Sequence, residues 1–218
     1  MRLLLIALGR EKEIHDEIPR LASHPRRKGR LATALRYYTQ GQWLLITRHQ
    51  SDRNSLATEI AARCGLRAQG LITLMPPGMR QKSTKRVWRT DRFAGMHDIE
   101  LWTIQEKNGL VREIAMPDDL SIRLMARAYP RPLKITDRGT NFETLFDVGG
   151  GRSWSDSFTQ ASKRALGWSA GGHGLRHSYA DARVELLQSL DYSLDDSLKI
   201  TSQELGHFRA RVINAYLR

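Results

Sequence analysis

The dipeptide Asn108-Gly109 lies between two short apolar runs, and no other feature constrains the fold of this sequence so strongly. The runs cover residues 99–104 and 111–116 and flank Lys107-Asn108-Gly109. Asparagine and glycine accept the positive φ angles of a tight turn, whose twist matches that of two antiparallel strands. The sequence therefore predicts one antiparallel β-hairpin with its tip at these three residues.

Helical spacing dominates the rest of the chain. Leu56, Ile60 and Cys64 recur at intervals of four, after Asp52 as the expected N-cap and before Gly65 as the expected stop. Further helices are expected from a cap at 117–119 to about Ala128, over 155–166, from His173 onward, and in a final pair from about residue 200. The expected fold class is mostly α with a small antiparallel β-sheet, which is an α+β fold.

The chain is expected to divide into an N-terminal appendage, residues 1–50, and a main domain, residues 51–218. Pro19 breaks the first helical stretch, and a basic, loop-like stretch follows it. The opening apolar run is too short to span a bilayer, and Glu11 and Glu13 follow it without a small-residue cleavage site. The single cysteine, Cys64, excludes an intramolecular disulfide. We therefore expect a soluble, cytoplasmic protein.

Positive charge is concentrated in one third of the chain. The net charge is +12, and residues 20–92 hold 16 Lys and Arg against three acidic residues, so the remainder is close to −1. A phosphate backbone is the usual partner of such a region, because each neutralised phosphate releases condensed counterions. An anionic membrane or an acidic protein would attract the same charge, although no basic amphipathic helix favours a membrane.

Five short segments carry an ordered set of polar residues. They are Gly65-Leu66-Arg67, Lys107, His173-Gly174-Leu175-Arg176-His177, Leu205-Gly206-His207 and Tyr216, which follows His207 by nine residues. This set resembles the catalytic domain of the tyrosine recombinase (phage integrase) family over roughly residues 50–218. The resemblance implies that catalytic-domain fold, and residues 1–50 would then be a remnant of the region with which the family clamps DNA.

The resemblance implies an enzyme that breaks and rejoins DNA at specific sites, and its charges suit that chemistry. Attack on a phosphodiester adds a second negative charge to the phosphorus centre. Arg67 and Arg176 would each fork onto nonbridging oxygens and stabilise that charge. His207 would donate a further hydrogen bond to the phosphate. His173 precedes Arg176 by three residues, so both lie on one helix face.

Tyr216 is the implied nucleophile, and two other residues would move its protons. A phenol with a pKa of ~10 attacks poorly unless neighbouring cations favour the phenolate. His173 would accept the phenol proton, and Lys107 would protonate the departing 5′ oxygen. The family's 3′-phosphotyrosyl link keeps the bond energy, so rejoining needs no ATP. Cationic side chains do the work of a metal ion, and no cofactor or metal is expected.

Double-stranded DNA is the implied partner, and four protomers would assemble on it as a tetramer for strand exchange. Five basic residues of the polar stretch 81–92 are the expected phosphate contacts, and a solvated loop is the alternative interpretation: Lys82, Lys85, Arg86, Arg89 and Arg92. Taken alone, Tyr216 would be interpreted as a core tyrosine and Lys107 as an exposed turn lysine.

The sequence also departs from the family pattern. Gly70 stands where the family usually has an acidic residue that braces the first arginine. The interval from Arg176 to His207 is longer than usual, with extra residues around 189–198, and both ends are short. Gly70 and the short ends motivate one alternative, a DNA-binding relic or regulator that has lost catalysis. A second alternative within the same class is a type IB topoisomerase-like enzyme that relaxes DNA without exchanging partners.

Overall fold

A computed structural model describes residues 37–106, 108–210 and 213 of the chain. These ranges contain six helices and four strands. In chain order they are α1 (Gln40–Thr47), α2 (Asp52–Cys64), β1 (Ile99–Gln105), β2 (Val111–Pro117), α3 (Asp118–Met125), β3 (Ala128–Asp137), β4 (Thr140–Phe146), α4 (Gly151–Leu166), α5 (His173–Ser189) and α6 (Leu194–Glu204). The predicted α+β class is confirmed.

The hairpin predicted around Asn108-Gly109 is present. Strands β1 and β2 are antiparallel, with Gln105 opposite Val111, and Gly109 takes a φ of +80° in the connection. Met75 forms an isolated antiparallel bridge with β1, because its backbone exchanges two hydrogen bonds with Thr103 at 2.9 and 3.0 Å. The long segment that precedes the hairpin is thereby held against β1.

A second hairpin replaces the end of a predicted helix. The helix expected to reach Ala128 ends at Met125, and Ala128 instead begins β3, which pairs with β4. Pro130 and Pro132 cannot extend a helix, but a two-stranded sheet accepts them because one edge of each strand needs no N–H donors. The expectation of a single small sheet was therefore incomplete.

Helix α2 begins and ends for local chemical reasons. Its N-cap is Ser51, in an extended conformation, and Asp52 is the first helical residue, so the predicted cap is wrong by one position. A carboxylate in the first turn still interacts favourably with the helix dipole. The predicted stop is confirmed, because Gly65 adopts the left-handed conformation with a φ of +63°.

The main hydrophobic core lies among α1, α2, α4 and the first hairpin. Trp43 and Ile46 of α1 are buried in it together with Trp102, Trp154 and Phe158. All the described residues belong to one compact unit, residues 35–218. The proposed boundary near residue 50 stays a prediction. Over the same described ranges, no helix has the length and apolar character needed to cross a membrane.

A smaller cluster joins α5 to α6 and to the chain near residue 213. Tyr179, Val184, Leu205 and Ile213 are buried together there. Residues 189–198, which the sequence comparison with the family pattern takes as extra, form the end of α5, the turn after it and the first turn of α6. Ser193 caps α6 by accepting a hydrogen bond from the backbone N–H of Asp196.

Candidate active site

Three segments that are distant in sequence meet beside the end of α2. Arg67 follows α2, Arg176 lies in α5, and His207 follows α6. Arg67 Nη2 lies 3.1 Å from His207 Nε2. Arg176 donates through Nη1 to the carbonyl of Gly65 at 2.6 Å and through Nη2 to the carbonyl of Leu205. The structure therefore brings together three of the six side chains that the sequence predicts for the site.

Gly65 lets these segments approach so closely. A Cβ atom at this position would lie 2.7 Å from Leu205 Cδ2 and 2.7 Å from Tyr179 Cδ1, which is closer than such atoms pack. Its positive φ also disfavours every residue with a side chain. A glycine is thus required both to end α2 and to admit the segment that carries His207.

Helix α6 is anchored by a carboxylate that the sequence analysis missed. Glu204 is buried and accepts hydrogen bonds from Arg183 at 2.8 and 2.9 Å, from the Tyr179 hydroxyl at 2.9 Å and from the Phe93 N–H at 2.8 Å. Burial, and after it the charge of Glu204, raises the pKa of Tyr179 well above its ordinary value. This network fixes the end of α6 from which His207 extends.

Arg112 adds a third guanidinium to the cluster formed by Arg67, Arg176 and His207. It was not among the predicted site residues. It is fully buried and donates to Glu106 Oε1 at 2.9 Å, to the Glu204 carbonyl at 2.5 Å and to the Gly65 carbonyl at 3.4 Å. One signal was available in the sequence. Arg112 alternates in phase with Ile114 and Met116, which makes it an arginine on the inward face of a strand.

Glu106 supplies the negative charge of the cluster. Burial alone would raise the pKa of Glu106, but Arg112, Arg176 and Arg67 outweigh it and hold this pKa at about 2. The pKa of His207 is lowered to about 4 by its burial and then by Arg176 and Arg67. Near neutral pH, these five side chains therefore comprise three guanidiniums, one carboxylate and a neutral imidazole.

The hydrogen bond between Arg67 and His207 fixes the direction of the imidazole. A guanidinium has only donors, so Nε2 of His207 accepts and the ring proton resides on Nδ1. An anionic phosphate that entered the cluster would compete with His207 for Arg67. It would also favour the protonated imidazole, which has two donors.

The remaining predicted site residues are His173, Lys107 and Tyr216. His173 opens α5, is exposed, and packs edge-to-face against the buried His177 with ring centroids 5.2 Å apart. It lies one helical turn before Arg176, as predicted. Lys107 and Tyr216 lie outside the described residues. The described residue nearest to Tyr216 in sequence is Ile213, which is buried with Tyr179 and Leu205.

The basic stretch 81–92 has no helix or strand, as predicted, and its cations are placed in two ways. Three of them form ion pairs: Lys82 and Arg92 with Glu113 at 2.9 and 2.6 Å, and Arg89 with Asp91 and Asp196 at 2.7 and 3.2 Å. Lys85 and Arg86 are exposed. The paired cations hold the loop to β2 and α6, and the exposed ones remain available to a polyanion.

Aromatic contacts join this loop to the residue after His207. The rings of Trp88 and Phe208 meet edge-to-face at 4.8 Å. Arg86 lies over the Phe208 ring at 5.2 Å, and Arg92 lies over the Trp88 ring at 4.6 Å. These contacts place the exposed guanidinium of Arg86 beside the segment that carries His207.

The fold is similar to solved structures at low sequence identity. A post-cleavage complex of the XerH site-specific recombinase bound to palindromic difH substrate matches with a TM-score of 0.52 and 17% identity, over 84% of this chain and 49% of that one. The pre-cleavage XerH complex with difH substrate gives 0.51 and 15%, over 97% and 59%. The XerA recombinase gives 0.52 and 13%, over 88% and 62%. This chain thus spans about half to three fifths of their lengths. No protein-family model and no curated protein sequence matches it.

Proposed function

We propose that this chain, which has the fold of the tyrosine recombinase catalytic domain, cuts and rejoins DNA at specific sites through a 3′-phosphotyrosyl intermediate. One observation supports this most strongly. Arg67, Arg176 and His207 come from three separate segments and are brought together: Arg67 Nη2 lies 3.1 Å from His207 Nε2. Arg176 donates to the carbonyls of Gly65 and Leu205, each two residues before Arg67 and His207 respectively. Packing alone does not require three such polar side chains in one place.

The charge of the cluster suits a phosphoryl transition state. Arg67, Arg112 and Arg176 carry +3, Glu106 carries −1, and His207 is neutral, so the net charge of these five side chains is +2. A phosphodiester carries one negative charge, which becomes two when an oxygen attacks. Preorganised donors that match the charge of the transition state stabilise it more than the ground state.

Tyr216 is the proposed nucleophile. It follows Ile213 by three residues, and three residues of extended chain span at most ~11 Å. Ile213 is buried with Leu205, whose carbonyl accepts a hydrogen bond from Arg176, and this position of Ile213 supports a phenol within reach of Arg176. The Tyr216 oxygen would form a bond to phosphorus while the bond from phosphorus to the 5′ oxygen breaks. His173 would accept the phenol proton, and Lys107 would protonate the 5′ oxygen.

Double-stranded DNA is the proposed substrate, and assembly on it would be tetrameric. The XerH structures contain difH substrate, and the excess of positive charge in residues 20–92 of this chain suits a phosphate backbone. Lys82, Lys85, Arg86, Arg89 and Arg92 are the proposed phosphate contacts, with the three ion-paired cations exchanging their carboxylates for phosphate. Such a protein would act in the cytoplasm, in association with the chromosome.

A covalent trap tests the proposal. Duplexes that the protein binds are selected from a random library, and a nick is placed so that the cleaved 5′ end diffuses away. The wild-type protein should then accumulate as a protein–DNA adduct on a denaturing gel, and Tyr216→Phe should form none. Tyr192→Phe, in the connection between α5 and α6, is the matched control and should form the adduct normally.

Other outcomes of this test have defined meanings. No adduct on DNA that the protein binds specifically would overturn the enzyme and favour a DNA-binding relic. An adduct that survives Tyr216→Phe would overturn the nucleophile. If supercoiled DNA is relaxed but strands are never exchanged between duplexes, the topoisomerase-like alternative replaces the recombinase.

A further inference from the structure

The place three residues after Arg67 leaves little room for a side chain. Gly70 is buried there, and a Cβ atom added to it would lie 3.0 Å from Ile104 Cδ1 and 3.3 Å from the Arg67 carbonyl. Both contacts are tighter than most Cβ contacts in proteins, so a side chain here requires the end of Ile104 to give way. Gly70 itself offers no carboxylate to Arg67, and an acidic residue in its place would crowd the Ile104 side chain.

A carboxylate lies just beyond the end of β1, two residues after Ile104. Glu106 follows Ile104 with the two-residue period that keeps side chains on one face of a strand. It accepts a hydrogen bond from Arg67 Nη1 at 2.8 Å and from Arg112 Nε at 2.9 Å. Its backbone is also fixed, because its N–H donates to Leu110 and its carbonyl accepts from Gly109.

We propose that Glu106 is a positioning residue that braces Arg67 from the hairpin, in place of an acidic residue at Gly70. The inference rests on the proposed DNA cleavage. Glu106 is 7% exposed, whereas the Arg67 side chain is 34% exposed. The brace thus lies on the buried side of the guanidinium. It holds Nη1, while Nη2 faces His207.

Loss of this brace should slow DNA cleavage without weakening DNA binding. Glu106→Gln removes one negative charge from the cluster, which raises its net charge from +2 to +3 and favours a DNA phosphate. Arg67 loses its fixed orientation at the same time, and misplacement of a stabilising group by about 1 Å costs up to roughly 100-fold in rate. A residue needed only for folding would weaken binding and chemistry together.

The experiment compares three variants of the full chain on the nicked DNA substrate. For Glu106→Gln we expect a single-turnover rate of adduct formation about 10- to 100-fold below wild type, with a Kd for DNA that is equal or lower. Glu106→Asp keeps the charge on a shorter side chain and should recover part of the rate. Glu59→Gln, which breaks a two-bond ion pair with Arg123 outside the cluster, should leave both quantities unchanged.

A spectroscopic measurement makes the inference independent of activity. Because hydrogen bonds to Glu106 and His207 hold Nη1 and Nη2, the Arg67 side chain should give resolved guanidinium signals in a ¹H–¹⁵N spectrum. These signals are identified by their loss in Arg67→Lys. These signals should collapse in Glu106→Gln and persist in Glu106→Asp. Unchanged signals, an unchanged rate or a parallel loss of binding and rate would each overturn the brace. If the wild type forms no adduct, the proposed function fails, and the spectrum still decides whether Glu106 holds Arg67.

Discussion

The buried carboxylate of Glu204 should contribute a large part of the stability of the domain. Its side chain is fully enclosed, and its ion pair with Arg183, itself 3% exposed, is accompanied by hydrogen bonds from Tyr179 and the backbone of Phe93. Glu204→Gln keeps the shape but leaves the Arg183 guanidinium buried without its countercharge. Breaking a buried pair in this way costs about 3–5 kcal/mol, which is a large share of the ~5–15 kcal/mol that holds a typical domain folded.

Urea denaturation followed by circular dichroism measures this loss. Asp156→Asn, which breaks the exposed pair of Arg152 and Asp156, is the control and should cost less than ~1 kcal/mol. Adding Arg183→Met to Glu204→Gln should recover part of the stability, because no uncompensated charge then remains buried. A loss below about 1 kcal/mol for Glu204→Gln, or no recovery in the double variant, would refute the view that this ion pair anchors α6.

Three further predictions concern the same region. Gly65→Ala should lose ~2–4 kcal/mol in urea denaturation, because it combines left-handed strain with overpacking; a loss below about 1 kcal/mol would contradict the close approach described above. The pKa of His207 falls from 6.5 to about 4 on folding, so the unfolded chain binds the proton first and the free energy of unfolding decreases as pH drops through this window. His207→Gln should flatten that decrease between urea titrations at about pH 7 and about pH 4.5, and equal decreases would refute it. Replacing Lys85 and Arg86 with alanine should reduce the slope of log K for DNA against log salt by up to about 2, whereas Arg123→Ala should leave it unchanged; equal slopes would exclude the two residues as phosphate contacts.

Some elements could be predicted from the sequence because they depend on local chemistry. The first hairpin was predicted because Asn108-Gly109 suits a tight turn, and the end of α2 because Gly65 suits a left-handed cap. Both depend on backbone preferences of a few adjacent residues. The convergence of Arg67 with His207 followed from the motif that contains them, since the two are 140 residues apart in the chain.

The second hairpin and the support of Arg67 by Glu106 could not be predicted from the preferences of adjacent residues. Most of β3 is exposed, so its sequence lacks the alternation of apolar and polar residues, and Pro130 and Pro132 indicated a break. Glu106 is one acidic residue among 23 Asp and Glu, and only the tertiary structure shows which of them reaches Arg67. The absence of an acidic residue at Gly70 pointed to altered support for Arg67 but did not reveal its source.

The covalent link to DNA offers the most direct test of the central claim. Trypsin should release residues 212–218 as one peptide, in which Tyr216 is the single tyrosine. After the adduct is digested with nuclease and trypsin, mass spectrometry should find a nucleotide phosphate on this peptide, attached at Tyr216. A nucleotide on any other peptide, or no covalent link on DNA that the protein binds and cuts, would contradict the proposed nucleophile and the chemistry built around it.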